Sequence, residues 1–449
     1  MNAARTEIDT TAEGVVSPVW RSHYTLLMLT FVYAMSLIDR QIMGVLIEPV
    51  KAEFQVSDTA MGLLSGLAFA LAYSTMAVPL GRIADRGNRR NMVAWCCAAW
   101  SLMTGVCGLA GSYWQLAAAR VGVAVGEAGG SAPAMSMIAD HYPPKQRSRA
   151  MSVFMLGPHF GTLVGLGLGA WIAHQYGWRA AFLWMALPGL LAALLLRWGG
   201  VEPLRGRYDT AAEAKTASDL AGESIAAVLR SAIASPSFVR ITIAGLLMGF
   251  AGYGIGIWST AFLVRSHGLT LQDAGMMVGL VNGVASICGA LFSGWLCDRL
   301  AQRDARWQLG VPVLGLVLAL PAGLAYFAYP AGASWQIGAL SVPHAMGPGV
   351  LFSFFAVWWP APSYAALTVI VSSHRRTTVL AMYNLGLILV GGGLGPLTVG
   401  MLSDALTPSL GIEALRWSLV WMMSALVLAA VAYASAMGCY AKAAAPAGS

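Results

Sequence analysis

Gly62-Leu-Leu-Ser-Gly66, followed by Gly81-Arg-Ile-Ala-Asp85-Arg86, returns later in the chain as Gly275-Met-Met-Val-Gly279 followed by Gly294-Trp-Leu-Cys-Asp298-Arg299. Every matched position is displaced by the same 213 residues. Each copy opens an apolar stretch with two glycines four apart and ends on a small residue, an acid and a base. Chance likeness between two Gly-rich apolar stretches would not reproduce the Asp-Arg ending. The chain therefore reads as two related halves.

What surrounds the repeat is a sequence for lipid. Of 449 residues, 57% are hydrophobic and 10% are charged, whereas a soluble globular chain is about a quarter charged. A membrane-spanning helix needs about 20 mostly apolar residues. Twelve such stretches lie near 24–49, 60–83, 91–111, 113–140, 149–174, 178–199, 238–264, 271–297, 309–329, 337–371, 377–403 and 414–439. They are numbered helices 1 to 12. Glu7, Asp9 and Glu13 precede the first of them, unlike a cleaved signal peptide. The six cysteines sit mostly in apolar runs without CxxC spacing, so neither a disulfide framework, a metal site nor a cofactor is implied.

The net charge of +7 concerns topology. With the N-terminus in the cytoplasm, all Lys and Arg fall on cytoplasmic segments except Lys51, Arg179, Arg265 and Arg416 outside and Arg40 and Arg120 within helices. This is the positive-inside pattern, and it leaves nothing to support a nucleic-acid partner. Both termini are expected in the cytoplasm. Residues 1–16 and 443–449 read as mobile tails, and 17–199 and 238–442 as six-helix bundles. The linker 200–237 contains a short amphipathic helix from Ser224 to Pro236 suited to the interface. The expected fold is an all-α integral membrane protein of twelve transmembrane helices in two pseudo-symmetric six-helix bundles. That is an architecture in which transporters place a site between the halves.

Gly81-x-x-x-Asp85-Arg86-Gly87-Asn88-Arg89-Arg90 resembles the loop between helices 2 and 3 of the major facilitator superfamily. Asn88 stands where that signature has Gly, with Gly shifted to 87; both residues tolerate left-handed backbone. Arg120-x-Gly122-x-x-x-Gly126 and Gly157-Pro158-x-x-Gly161 resemble the elements of helices 4 and 5. Leu37-Ile-Asp39-Arg40-Gln41, Gly126-Glu127-Ala128 and Ile138-Ala-Asp140-x-Tyr142-Pro with Arg147-Ser-x-Ala narrow the resemblance to the Spinster-like branch. That resemblance implies proton-linked movement of lysophospholipids or sphingosine phosphates by alternating access, in a bacterial inner membrane given the Ala/Gly-rich composition. A functional monomer is expected, with protons, a small amphipathic substrate and the bilayer as its partners.

Charge inside the bilayer marks the candidate site. A charged side chain at a helix centre costs about 2.5–3.5 kcal/mol even on the mildest insertion scale. Only Asp39, Glu127, Arg40 and Arg120 lie deep. Asp39 lies roughly 16 Å from the outer end of helix 1, between Arg120 at roughly 10 Å and Glu127 at roughly 21 Å in helix 4. Arg120 and Glu127 share a helix face, while Asp39 and Arg40 point about 100° apart. We expect Asp39 and Glu127 to be the protonatable pair. Arg120 and Arg40 are either their partners or ligands for an anionic headgroup, since guanidinium suits carboxylate and phosphate alike. A static ion pair joining helices 1 and 4 is the alternative.

The second half supplies no deep charge. It offers Tyr253, Asn384 and an aromatic run including Phe354 and Trp358, an expected apolar wall for an acyl tail or, equally, packing surface. His159 reads as a hydrogen-bonded packing residue. The glycine runs 165–169 and 391–395 read as sites of close helix packing. Gly81, Asp85, Arg86, Arg147, Arg149, Asp298 and Arg299 are the expected gating residues, with the two Asp latching a cytoplasmic face. Arg89, Arg90, Arg375 and Arg376 read as topology alone. An embedded enzyme is not indicated, because no metal spacing or nucleophile elbow occurs. A sensor would need a soluble domain. A drug or organic-acid transporter of the same fold remains the alternative function.

Overall fold

The computed structural model describes residues 19–208, 225–337, 340–371 and 375–444. The expected tail 1–16, most of 443–449 and the first residue of the linker helix lie outside them. Among the described residues the helices group into twelve, and nine helical segments are long and apolar enough to cross a membrane. Helices 1 to 3 are Val19–Phe54, Asp58–Arg86 and Arg89–Gly108. Helix 4 is Tyr113–Glu127 continued by Ser131–His141, and helices 5 and 6 are Pro144–Tyr176 and Trp178–Gly199. In the second half, helices 7 to 9 are Pro236–His267, Leu271–Ala301 and Trp307–Ala328. Helix 10 comprises Met346–Ala356 and Pro360–Ile370, and helix 11 comprises Arg376–Gly386, Leu387–Leu394 and Gly395–Leu410. Helix 12 is Ala414–Ala444. A short helix, Ile225–Ile233, precedes helix 7.

Three local readings change. Helix 4 breaks after Glu127, where Gly129-Gly130 weakens the helix and Pro133 falls in the first turn of its continuation. The apolar stretch 337–371 starts as an antiparallel hairpin, β1 Ser334–Ile337 with β2 Leu340–Pro343, before helix 10. Its β-branched and aromatic residues pair Trp335 with Val342. Finally, Gly87 and Asn88 both keep negative φ; Asn88 caps helix 3 by accepting from the Asn91 N–H.

Glycine sets the helix spacing, as expected where packing rather than water drives association. A Cβ built on Gly157 would lie 2.5 Å from the Thr30 carbonyl oxygen of helix 1, and Gly161 and Gly165 continue that contact along Ala34 and Ile38. Gly391 packs on Gly249 of helix 7.

Between the halves, the repeated glycines make the seam. Gly62 and Gly66 lie against helix 11, where a Cβ would meet the Pro396 and Gly393 carbonyls at 2.5 and 2.6 Å. Gly275 lies against the Leu166 carbonyl of helix 5, at 2.7 Å for such a Cβ. Gly44 of helix 1 sits likewise on Ile257 of helix 7. All of these contacts lie toward one end of the molecule. At the other, a Cβ on Gly81 or Gly294 would meet nothing within 4 Å. The molecule is closed at the Asp58 end and parted at the Asp85 end.

Candidate functional site

Helices 1 and 4 bring the four deep charges together, and helix 2 supplies a floor for them. Arg40 Nε donates to Glu127 Oε2 at 2.6 Å, and Ser36 Oγ, one turn earlier, donates to the same oxygen at 2.8 Å. Glu127 is 3% exposed, whereas the Arg40 side chain retains 24% exposure. Glu127 ends the first part of helix 4, so the Gly129-Gly130 break that follows sits beside the carboxylate.

Asp39 and Arg120 are 2% and 1% exposed. They do not form the carboxylate–guanidinium pair that the sequence allows. Arg120 Nη1 instead donates to the Asp39 main-chain carbonyl at 3.0 Å. Asp39 Oδ1, Glu127 Oε1 and Arg120 Nε are buried with no hydrogen-bond partner among the described residues. An unsatisfied buried polar group costs about 1–3 kcal/mol, more when charged.

Sequence reasoning missed the aromatic floor. The Arg40 guanidinium carbon lies 5.1 Å from the Phe69 ring centroid and 4.9 Å from that of Tyr73. That of Arg120 lies 5.3 Å from Phe69. One phenyl ring thus serves two guanidiniums, contacts worth about 0.5–2 kcal/mol each. An aromatic in an apolar helix carries no contrast that would single it out beforehand.

From the second half, half-exposed Tyr253 lies within electrostatic reach of Arg40. Asn384 accepts from the Tyr364 hydroxyl, and Tyr364 sits edge-on to Tyr383. Phe354 and Trp358 are placed elsewhere. Phe354 packs among Phe292, Phe355 and Trp358, and Trp358 is buried with Cys297 and Val311 between helices 8, 9 and 10. A shallow, mostly apolar surface does lie on helix 5, where Met151, Met155, Leu156 and His159 stand beside Ser148 and Ser152. His159 Nδ1 there bonds to the Met155 carbonyl at 3.0 Å.

The expected gating residues are apart. Asp85, Arg86, Asp298 and Arg299 are exposed, and neither Asp forms an ion pair among the described residues. Arg147 is half-buried and Arg149 exposed, neither on Asp85. Arg205, beyond helix 6, donates to the Ala84 and Gly87 carbonyls that end helix 2. Arg89, read as topology alone, is 2% exposed and bonds Asp140 at 2.5 Å, Glu202 at 2.8 Å and the Ser136 hydroxyl. The Arg90 guanidinium is also bound, donating to the Gly200 carbonyl at 3.0 Å, while its main-chain N–H donates to Glu202. Composition at a membrane edge cannot distinguish a solvated arginine from a buried one.

Charge pairing across the seam occurs instead at the closed end. Arg265 of helix 7 holds Asp58 through two bonds of 2.6 and 2.8 Å and Glu48 at 2.8 Å. Lys51 and the Ser403 hydroxyl also bond Asp58, and Asp404 accepts from the Asp58 and Thr59 N–H groups. Asp404 sits where a helix N-terminus favours negative charge.

The family described as Major Facilitator Superfamily matches residues 29–396. An MFS-type efflux pump of Mycolicibacterium smegmatis is 34% identical over 402 residues, covering 89% of each chain. Protein spinster homolog 1 of Xenopus laevis is 26% identical over 402 residues, covering 86% of this chain and 73% of its own. The crystal structure of a bacterial homolog of the human lysosomal transporter Spinster, inward-facing and unoccupied, superposes with a TM-score of 0.83. It is 30% identical and covers 95% of this chain and 99% of its own.

Proposed function

Because this chain belongs to the major facilitator superfamily and is a Spinster-like secondary transporter, we propose that it moves an amphipathic, anionic lipid-like substrate, lysophospholipid or sphingosine-phosphate in type. Movement is by alternating access and is coupled to protons through Glu127 and Asp39. The observation that carries this reading is Arg40: its Nε is held by Glu127 and its face by two rings, while its other nitrogens make no hydrogen bond among the described residues and are left for an anionic headgroup. A headgroup that draws Arg40 away leaves Glu127 with Ser36 alone, and the carboxylate then takes up a proton. Release of the headgroup returns Arg40 and expels it. The helix 5 surface offers the acyl tail apolar contact. The parted Asp85 end faces the cytoplasm on the positive-inside reading, a state supported by likeness to an inward-facing structure. Asp85 and Asp298 latch that face when it closes. The bundles 17–199 and 238–442 rock about the Arg40 region.

A second reading rests on the efflux-pump relative: export of drug-like compounds through the same charge cluster. Thermal melting of purified protein against lysophospholipids, sphingoid phosphates, organic acids and cationic drugs separates the two. Ligands that bind the folded state raise the melting temperature. Single-chain anionic lipids are expected to do so in the wild type and not in R40A. Stabilisation by cationic drugs alone would overturn the lipid reading in favour of drug export.

A further inference from the structure

The π-helical turn Leu63–Leu67 interrupts helix 2 where it packs on helix 11, and Phe69 lies two residues beyond it. Helix 8 carries the matching interruption, Met277–Asn282, where it packs on helix 5. Such bulges recur at functional sites because they change the phase of a helix locally. In helix 2 the consequence is specific. Gly62 and Gly66 touch helix 11 at backbone distance, and Ala70 is what a Cβ on Gly393 would meet at 3.1 Å. Phe69 stands between those contacts, and its ring lies within 5.3 Å of both the Arg40 and Arg120 guanidinium carbons.

We propose that Phe69 is a positioning residue that ties closure of the Asp58 end to the Arg40–Glu127 ion pair. Gly66 and Ala70 pack on helix 11 on either side of Phe69, so as they leave it helix 2 bends at its π-helical turn and shifts Phe69 against helices 1 and 4, while the rest of the bundle moves as one. Two like charges then lose the ring they share. Tyr73, one turn on in the same segment, moves with Phe69, and the hold of Arg40 on Glu127 is reset with the gate. Signals pass the other way by the same contacts: protonating Glu127 frees Arg40, which unseats Phe69 and loosens the helix 2 seam.

This inference rests on the reading of Glu127 as the proton-coupling group. The ionisable groups acting on that carboxylate are Tyr33, Asp39 and Arg40 from helix 1 and Cys97 from helix 3, with Tyr73 of helix 2 and Tyr253 of helix 7 acting on Arg40 and Arg120 of helix 4 acting on Asp39. Asp39 and Glu127 are the only carboxyls among them.

The test is a spin-label distance between exposed positions 55 and 409, on either side of the closed end, in protein whose six native cysteines are replaced. In the otherwise unchanged protein this distance is expected to switch between mildly alkaline and mildly acidic pH, and E127Q is expected to remove the switch. F69L, which keeps apolar bulk without a π face, is expected to move the midpoint by about one pH unit, the equivalent of a cation–π contact. F69Y is expected to restore it. F69M serves the same comparison should F69L fail to fold. A midpoint unchanged in F69L or F69M, with E127Q still insensitive, overturns the role of Phe69 and leaves the Glu127 reading standing. A switch that survives E127Q overturns the Glu127 reading, and the inference about Phe69 with it.

Discussion

Arg40 and Arg89 show what a single residue does and does not reveal. Arg40, with Asp39, Arg120 and Glu127, was legible because a charge inside an apolar stretch must be accounted for energetically. Their neighbours were not: Ser36, Phe69 and Tyr73 look like any residues of a membrane helix. Arg89 carries the opposite lesson, since an arginine at the membrane edge satisfies positive-inside whether solvated or buried. It holds two carboxylates, Asp140 and Glu202, that join the start of helix 3 to the end of helix 4 and the chain beyond helix 6. Breaking a buried pair by removing one partner costs about 3–5 kcal/mol. R89A is therefore expected to lower the melting temperature by on the order of 5 °C, measured by thermal melting in detergent, whereas R86A, at an exposed site, should leave it unchanged. Within the central cluster, D39N is expected to abolish pH-driven flux in proteoliposomes while the protein stays folded. Unchanged proton-dependent flux in D39N would remove that residue from coupling.

At the scale of the element, the repeated Gly-x-x-x-Gly pairs are the part of the fold that the sequence announced most plainly. The structure gives them a mechanical meaning. Gly62, Gly66 and Gly275 are tight at the closed end, while Gly81 and Gly294 are free at the parted end. G62V and G275V are accordingly expected to prise the Asp58 end open. Maleimide labelling of a cysteine introduced at Met61, which is fully buried, should rise several-fold in either variant over the same background. G81A, having nothing near it in this state, should not raise labelling. Equal labelling in all three would show that these glycines do not set the seam. Helices 4 and 10 were less legible, because hydropathy counts apolar residues and is blind to a break that keeps them apolar. Both breaks matter for placement, the first by setting Glu127 at a helix end and the second by turning Trp358 into a pocket between helices 8, 9 and 10.

For the whole molecule, an all-α membrane fold was readable from hydropathy, and its division into related halves from the repeat, whereas the glycine seam between them was not. The cluster binding Asp58, Arg265, Glu48 and Asp404 was not either, since its members lie at separate helix ends far apart in sequence. Among the described residues ion pairs gather at the closed end and neither Asp85 nor Asp298 forms one at the other, which on the proposed cycle is one state of two rocking halves. R265Q removes the only guanidinium that bridges Asp58 and Glu48 among the described residues. It is expected to shift the molecule toward opening at that end, read as a longer distance between labels at 55 and 409. The central claim is that a headgroup binding Arg40 and a proton binding Glu127 go together, because the headgroup draws the guanidinium off the carboxylate. The most direct measurement is proton movement across proteoliposome membranes, followed with an internal pH dye, when a single-chain lysophospholipid is added. The wild type should move protons in step with lipid, and E127Q should bind the lipid, as judged by thermal melting, yet move none. Lipid-dependent proton movement of equal size in E127Q would contradict the account.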